Sequence, residues 1–224
     1  MALTPLPWSF SSYQDFVNCP RAFSEKRVFK TVKETQSEAM IWGDYVHKQF
    51  EAWQIAGGGV LPDTLREHEP FMRDLKGQPG EHYTELRYAL DRTLTPCEFF
   101  SAIVWHRGVI DWHSIAHQFA RIVDYKTGKP HNKPSQLILN ALWIFAKYRD
   151  VKEILSQYYW TRSQSTTDER YRRADIPAMW AHFAPNLSQY VEAFHTDTWQ
   201  PRPSGLCGWC PVTSCEHWKP NRRK

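Results

Sequence analysis

Two segments within the first fifty-five residues carry apolar side chains at helical spacing. Over residues 38–55 they recur three or four positions apart and three glycines follow, which predicts a helix over 38–55. Residues 8–30 are also predicted to be helical, with a serine near the start as N-cap and an interruption at Cys19-Pro20. Residues 57–80 are rich in proline and glycine and are predicted to form a loop.

After this loop the pattern changes to a period of two. Apolar residues alternate with other residues over 85–90, which predicts a half-buried strand. Short β-branched or aromatic segments around 99–105, 107–113 and 119–126 are predicted to be further strands. Together these segments indicate a mixed sheet.

The helical period returns in the second half of the chain. A helix is predicted from Gln136 to about Tyr148, with Ser135 as its N-cap. Gln136, Asn140 and Lys147 would form its polar stripe, and its apolar residues would face a core. The helix is therefore predicted to be amphipathic.

The remaining segments complete an alternation of helices and strands. A strand is predicted over 154–161, a polar turn over 163–169, and a helical region over 177–195 that is broken at Pro185. The order helix, strands, helix, strand predicts an α/β fold, and residues 1–224 are expected to form a single domain.

Composition and charge narrow the class of protein. A hydrophobic fraction of 42% and a charged fraction of 23% are typical of a soluble globular protein, and no apolar run reaches membrane-spanning length. The N-terminus lacks the pattern of a secretory signal, which predicts a cytoplasmic location. The net charge of +4 permits nucleic-acid binding if the basic residues cluster.

Two aspartates and a lysine suggest hydrolytic chemistry. Asp124 and Lys126 lie two positions apart in a predicted strand, so their side chains share one face. If 107–113 is the neighbouring strand, Asp111 converges on the same place. Two carboxylates suit Mg²⁺ or Mn²⁺, and a lysine beside such a cation can orient or deprotonate a water molecule. The set indicates metal-dependent phosphodiester hydrolysis, although an isolated Asp-x-Lys is more often a surface ion pair.

The C-terminal cysteines have the spacing of a metal site. Cys207, Cys210 and Cys215 form a C-x2-C-x4-C pattern in a chain without an export signal, which favours a metal over disulfides. Cys19, which like Cys210 precedes a proline, is the preferred fourth ligand over Cys97 and His217. Four thiolates can bind either zinc or an iron–sulfur cluster, and the spacing does not distinguish between them.

The whole set of residues resembles the PD-(D/E)xK nuclease superfamily, specifically its RecB-like branch. The residues that carry the resemblance share an order and spacing along the chain: His47, Asp111, Asp124, Lys126 and Gln136. The cysteines resemble those of the iron–sulfur members, the CRISPR-associated exonucleases and AddB-type recombination nucleases. The resemblance extends from Cys19 to Cys215.

The resemblance implies a role for each matched residue. Asp111 and Asp124 would bind Mg²⁺ or Mn²⁺ through their carboxylates, with the carbonyl oxygen of Tyr125 and with His47 as further ligands. The roles of the other catalytic residues concern water and substrate: Lys126 would orient or activate the attacking water, and Gln136 would position the lysine or the substrate backbone.

Two further positions compare less closely with the family. Glu85 corresponds loosely to an acidic residue that some relatives have before the first aspartate. The glutamine of the family helix is usually followed four residues later by a tyrosine, where this chain has Asn140. This departure affects substrate contacts more than metal chemistry.

The resemblance also implies a cofactor and an architecture. A 4Fe-4S cluster, or alternatively Zn²⁺, would be held by the four cysteines named above, at positions 19, 207, 210 and 215. This cluster would join residues 1–30 and 196–224 into one module. The core would be restriction-endonuclease-like, with a mixed central sheet flanked by helices.

The implied activity is that of a divalent-metal-dependent DNA exonuclease. Its substrates would be single strands or duplex ends, in recombination, repair or defence, with a recombination or defence protein as a partner. One alternative is a non-catalytic or partner-dependent DNA-binding module with the same fold. Another is a zinc-stapled scaffold or redox protein in which Asp-x-Lys is incidental.

Overall fold

The computed structural model describes residues 3–33 and 35–219, which contain six α-helices and five β-strands. The helices are α1 Phe10–Asn18, α2 Pro20–Phe23, α3 Glu38–Ile55, α4 Glu69–Lys76, α5 Ser135–Lys147 and α6 Ile176–Thr196. The strands are β1 Glu81–Leu90, β2 His106–Ala116, β3 Phe119–Lys126, β4 Glu153–Trp160 and β5 Ser165–Arg172. Short helical turns of other types occur at Ser24–Val28, Asp63–His68, Arg173–Asp175 and Cys207–Trp209.

The chain divides into two compact units. One is formed by the described residues of Met1–Thr35 and Phe183–Lys224, and the other by those of Gln36–His182. The second unit contains the whole sheet, in the order β1-β2-β3-β4-β5. Its strands pair antiparallel except for β3 and β4, which are parallel. A parallel pair requires a crossover connection, and α5 supplies it.

One face of this sheet is covered by α3 and α4. Three residues in the second half of α3, spaced four and three apart, are buried there: Val46, Phe50 and Trp53. They pack with Val123 and Tyr125 of β3, whose side chains lie on the face of the strand opposite to Asp124 and Lys126. The predicted mixed sheet flanked by helices is therefore confirmed.

The other face of the sheet is covered by α5, which is more deeply buried than its sequence indicated. All residues from Leu137 to Phe145 are buried, including Asn140 at 2% exposure. The prediction that Asn140 lies on a polar stripe was therefore wrong. The predicted N-cap was also wrong, because Ser135 is the first helical residue and Pro134 occupies the cap position without a side-chain hydrogen bond.

Residues 57–80 do not form the predicted loop. A 3₁₀ turn at Asp63–His68 leads directly into α4, and both pack apolar side chains into the core. The prolines misled the prediction because Pro62 and Pro70 stand at the start of these helices. A proline there costs no hydrogen bond, since the first N–H groups of a helix have no partner within it.

Three other predictions of secondary structure were wrong. Residues 99–105 form turns instead of a strand. The polar segment 163–169 contributes most of its length to β5, an exposed edge strand with little apolar alternation. Pro185 lies inside a continuous α6, where it removes one backbone donor without ending the helix.

The other unit is built around aromatic side chains. Ser9 caps α1, as the sequence allowed, and extended backbone at Cys19 separates α1 from α2. Phe16 and Phe23 pack edge-to-face against Tyr190 of α6. Arg202 donates to the carbonyl oxygen of Val17, which ties the segment after α6 to α1.

Gly108 on β2 provides a direct test of the packing of α5 on the sheet. A Cβ at this position would overlap the ring of Trp143, which is 2% exposed. We expect Gly108→Ala to lower the free energy of unfolding by about 3 kcal/mol, because a close-packed core resists added volume. Gly128→Ala is the control, since no atom lies within 4 Å of the Cβ it would add. Equal unfolding midpoints in urea for the two variants would contradict this packing.

Candidate functional site

Asp124, Lys126 and Gln136 form a closed triangle of polar contacts on the α5 side of the sheet. The Lys126 ammonium contacts Oδ2 of Asp124 and donates to Oε1 of Gln136 at 2.8 Å. Gln136 Nε2 donates to the other Asp124 oxygen, Oδ1, at 2.6 Å. The predicted shared face of Asp124 and Lys126 is therefore present, and the first turn of α5 brings Gln136 to it.

Asp111 reaches the same region from β2. Its Oδ2 accepts a hydrogen bond of 2.7 Å from the backbone N–H of Tyr125, which lies between Asp124 and Lys126. The pairing of β2 with β3 begins at Trp112 and Val123, so Asp111 stands just where the two strands separate. This opening allows a side chain of β2 to turn toward β3.

His47 approaches from α3 and contacts both the carboxylates and the backbone. Its Nε2 donates to the carbonyl oxygen of Tyr125 at 3.0 Å. Its Nδ1 lies 3.4 Å from Oδ1 of Asp111 and 3.7 Å from Oε1 of Glu85. The structure thus brings His47, Asp111 and Glu85 together, and the backbone of Tyr125 links them to the triangle of Asp124, Lys126 and Gln136.

Glu85 reaches the site through an irregularity in β1. Its φ of 47° is in the left-handed region, which is unusual for a glutamate. Thr84 pairs with Trp112 and Leu86 with Ile110, so Glu85 has no regular partner in the ladder. A backbone conformation that costs energy and aims a carboxylate at a polar cluster is typical of functional sites.

The charges of this group favour a bound cation. Burial lowers the pKa of His47, but Asp111 and Glu85 outweigh burial and raise it to about 10. Burial raises the pKa of Asp124, and Lys126 opposes that effect. Three carboxylates at close quarters therefore favour positive charge among them, on the imidazole or on a divalent ion.

The donor atoms also suit a divalent metal. One ligand atom each from His47, Glu85 and Asp111 lies within 4.8 Å of the others. The carbonyl oxygen of Tyr125 adjoins the same imidazole. Carboxylate and carbonyl oxygens with one imidazole are ligands that Mn²⁺ accepts readily and Mg²⁺ accepts through its oxygens.

The four cysteines proposed as ligands line a single cavity in the other unit, together with His217. The four are Cys19, Cys207, Cys210 and Cys215, all with free thiols. Two of the sulfur atoms accept backbone hydrogen bonds: Arg202 N–H donates to Cys19 Sγ at 3.4 Å, and Ser204 N–H donates to Cys207 Sγ at 3.3 Å. Such donors stabilise thiolates, the form that binds metals.

Cys97, the alternative fourth ligand, lies elsewhere. It follows β1, and its backbone N–H donates to the carbonyl oxygen of Ala89. It belongs to the unit that contains the sheet, whereas the other four cysteines belong to the unit formed by the two ends of the chain. The choice of Cys19 over Cys97 thus agrees with the position of the cavity.

The comparison with known families identifies the chain. The sequence model of the PD-(D/E)XK nuclease superfamily matches residues 7–215. The chain belongs to this superfamily. The match includes both the polar cluster on the sheet, which consists of His47, Glu85, Asp111, Asp124, Lys126 and Gln136, and the four cysteines that line the cavity.

Solved structures share the fold of this superfamily member. A provisionally assigned exonuclease from Eubacterium rectale matches with a TM-score of 0.53 and 13% identity, covering 97% of this chain and 89% of that one. The protein SSO0001 matches with a TM-score of 0.50 and 15% identity, covering 92% and 85%. No curated protein shows significant sequence similarity. Among the residues described, no helix combines the length and apolar character needed to cross a membrane.

Two side chains of this PD-(D/E)XK site were not evident from the sequence. Tyr158 of β4 lies opposite Asp124 in the parallel ladder, and the Lys126 ammonium lies 5.3 Å from its ring centre. Glu85 corresponded only loosely to a family position. Neither has a local signal, because one depends on strand pairing and the other on a left-handed backbone conformation at a single residue of β1.

Proposed function

We propose that this protein is a divalent-metal-dependent deoxyribonuclease of the RecB-like branch, acting as an exonuclease on single strands or duplex ends. The observation that carries the proposal is the convergence of two groups: the triangle of Asp124, Lys126 and Gln136, and the cluster of His47, Glu85 and Asp111. Membership of a nuclease superfamily supports it, as does fold similarity to a provisionally assigned exonuclease.

The metal-binding residues in this proposal are those that surround the imidazole. Asp111, Asp124, His47 and the carbonyl oxygen of Tyr125 would hold Mg²⁺ or Mn²⁺, and Glu85 adds a carboxylate to the set. When bound, the cation supplies Lewis-acid stabilisation of the phosphoryl oxygens and lowers the pKa of the attacking water. The Asp111 carboxylate is already oriented for this role by the N–H of Tyr125.

Lys126 is proposed to orient the attacking water and to stabilise negative charge that develops on the phosphate. Its ammonium is kept in place by two acceptors, the Asp124 carboxylate and the Gln136 amide oxygen. A donor fixed before the reaction costs little reorganisation in the transition state. Gln136 is therefore a positioning residue, since it acts through Lys126 and Asp124.

The four cysteines are proposed to bind a 4Fe-4S cluster, with Zn²⁺ as the alternative. Two arginines, Arg21 and Arg202, line the cavity with them, and positive charge suits a group of thiolates. Such a cluster would connect residues 1–30 with 196–224. Its role would be structural, because a metal that closes so long a loop stabilises the folded chain.

The biological setting proposed is recombination, repair or defence, with a recombination or defence protein as partner. The competing proposal is a non-catalytic or partner-dependent DNA-binding module. The complete set of acidic, basic and imidazole side chains around Asp111 favours an enzyme, because a binding module has no need of a buried carboxylate pair.

The test uses anaerobically purified protein with end-labelled single-stranded and duplex DNA. We expect degradation with Mn²⁺ or Mg²⁺ and none with a chelator. Asp124→Asn is expected to lower the rate at least about a hundredfold, as loss of one preorganised charge does elsewhere. Asp150→Asn, at an exposed aspartate of the same unit, is the control. DNA binding without cleavage by the wild type would favour the binding module.

A further inference from the structure

The connection between β1 and β2, residues 91–105, presents apolar side chains to solvent. Phe100 is 77% exposed and Ile103 is 61% exposed, in a protein whose large apolar side chains are mostly buried. Phe99 packs edge-to-face against Phe100 at 5.0 Å between ring centres. We refer to Phe99, Phe100 and Ile103 as the apolar tip.

The connection that carries this tip is tightly held. Oδ1 of Asp91 accepts hydrogen bonds from the N–H groups of Thr93 and Thr95, at 2.8 and 3.0 Å. The N–H of Trp105 donates to the carbonyl oxygen of Leu90 at 2.8 Å, which closes the connection at its base. The tip is therefore carried by an ordered connection. A ligand that binds the tip orders little of the protein chain, which lowers the entropic cost of binding.

Three arginines surround the tip and its base. Arg87 lies over the rings of both Phe99 and Phe100, at 5.5 and 5.9 Å, and Arg107 lies 5.5 Å from Phe99. Arg92 lies 4.2 Å from the ring of Trp105. The nearby acids are Asp91, which is hydrogen-bonded to the threonines, and Glu98. Positive charge therefore exceeds negative charge around an apolar centre.

This combination fits unpaired nucleotides. Guanidinium groups pair with phosphates and stack on bases, and exposed aromatic rings stack on bases whatever their sequence. A duplex hides its base faces, so the apolar tip would add affinity only where bases are unpaired. Arg87 and Arg107 lie over rings of the apolar tip, and Arg92 lies over Trp105 at its base. A surface that binds only protein has less need of this positive charge.

The position of the connection relates it to the proposed active site. Arg107 and Asp111 lie on the same strand, four residues apart, which corresponds to about 13 Å at ~3.3 Å per residue. Arg87 is two residues from Glu85 on β1. A strand of nucleic acid bound at the connection would therefore have its next nucleotides near the carboxylates.

We infer that the β1–β2 connection is a binding platform for unpaired nucleotides, which delivers a single-stranded end to the site of cleavage. The inference rests on the proposed nuclease function and specifies its substrate as a strand with unpaired bases. The apolar tip supplies stacking, and Arg87, Arg92 and Arg107 contact the phosphates.

The test measures binding in the absence of divalent cations, so that cleavage does not enter. A fluorescent single-stranded oligonucleotide and a blunt duplex hairpin, closed by a non-nucleotide linker so that every base is paired, are titrated with the wild type and with the double variant Phe100→Ala/Ile103→Ala. We expect the double variant to bind the single strand about tenfold more weakly or worse, since loss of one stacked base costs this much. Its affinity for the hairpin is expected to change little.

Ile55→Ala/Val60→Ala is the matched control, because these two residues are each 72% exposed in the same unit. It is expected to bind as the wild type does. Arg87→Gln is expected to lower the salt dependence of binding by about 0.7 in the log–log slope, the value for one phosphate contact on a single strand.

The outcomes separate this inference from the proposed function. Unchanged single-strand affinity in the tip variant would overturn the platform and indicate a protein-binding surface, even if the wild type cleaves DNA. Equal losses on single strand and hairpin would also overturn it. Selective loss of single-strand binding, in a protein that cleaves no DNA with Mn²⁺, would support the platform and contradict the nuclease.

Discussion

Lys126→Met is expected to reduce DNA cleavage on the order of 10³-fold, the range found when a positioned proton-transfer or charge-stabilising group is removed. Methionine keeps most of the side-chain length but cannot donate to Gln136 or contact the Asp124 carboxylate as the ammonium does. Rates are measured at saturating DNA with Mn²⁺, and affinity for DNA is measured without it. Affinity is expected to stay within a few-fold of the wild type.

The control for this prediction is Lys129→Met, which removes the same charge from an exposed position three residues later. Because Asp124 is 1% exposed, loss of its cationic partner also lowers the stability of the folded protein. Thermal unfolding is therefore measured alongside. Gln136 still donates to Asp124 in the variant, which limits this cost. A folded Lys126→Met protein that cleaves at the wild-type rate would contradict the role of the lysine.

The parts of the fold that the sequence predicted well are those set by local periodicity. The helix over 38–55 and the strand over 119–126 begin and end where the structure places α3 and β3. Both have a strong period and a clear end, three glycines in one case and a polar turn in the other. In such segments the period of the apolar residues indicates which side chains face the core.

The segments that sequence patterns misjudged depend on contacts far along the chain. β5 is a polar edge strand, and only its pairing with β4 reveals it. Asn140 is buried because α5 is covered almost all round, although four-residue spacing placed it beside Gln136. The segment 99–105, which carries the apolar tip, has the composition of a strand but no partner strand in the sheet. Propensity gives no information on these tertiary environments.

The same distinction applies to the polar cluster. Asp124 and Lys126 could be placed on one face from their spacing alone, whereas Gln136 was assigned to the site by the resemblance to the family. Glu85 matched the family only loosely, and its φ of 47° departs from the strand conformation on which the alternation rests. Periodicity thus accounts for the two residues of β3, and the resemblance supplies the other members of the site.

The second large effect is expected at the cysteines. Cys19→Ser should remove the proposed metal centre and lower the free energy of unfolding by about 4 kcal/mol or more, since loss of a metal is among the few changes with such an effect. Cys97→Ser is the matched control, because Cys97 is equally a free, partly buried thiol but lies outside the cavity. Iron, sulfide and zinc contents are measured on anaerobically purified protein, together with visible absorption and thermal unfolding.

The comparison of the two serine variants distinguishes the kind of metal as well as its site. Iron and visible absorption lost in Cys19→Ser but kept in Cys97→Ser would support the 4Fe-4S proposal. Zinc in place of iron, with the same pattern of loss, would retain the four-thiolate site and contradict the cluster. Equal stability and equal metal content in both variants would contradict Cys19 as a ligand. Because Cys19 lines the cavity with Cys207, Cys210 and Cys215 and Cys97 does not, we expect the metal to be lost in Cys19→Ser and kept in Cys97→Ser.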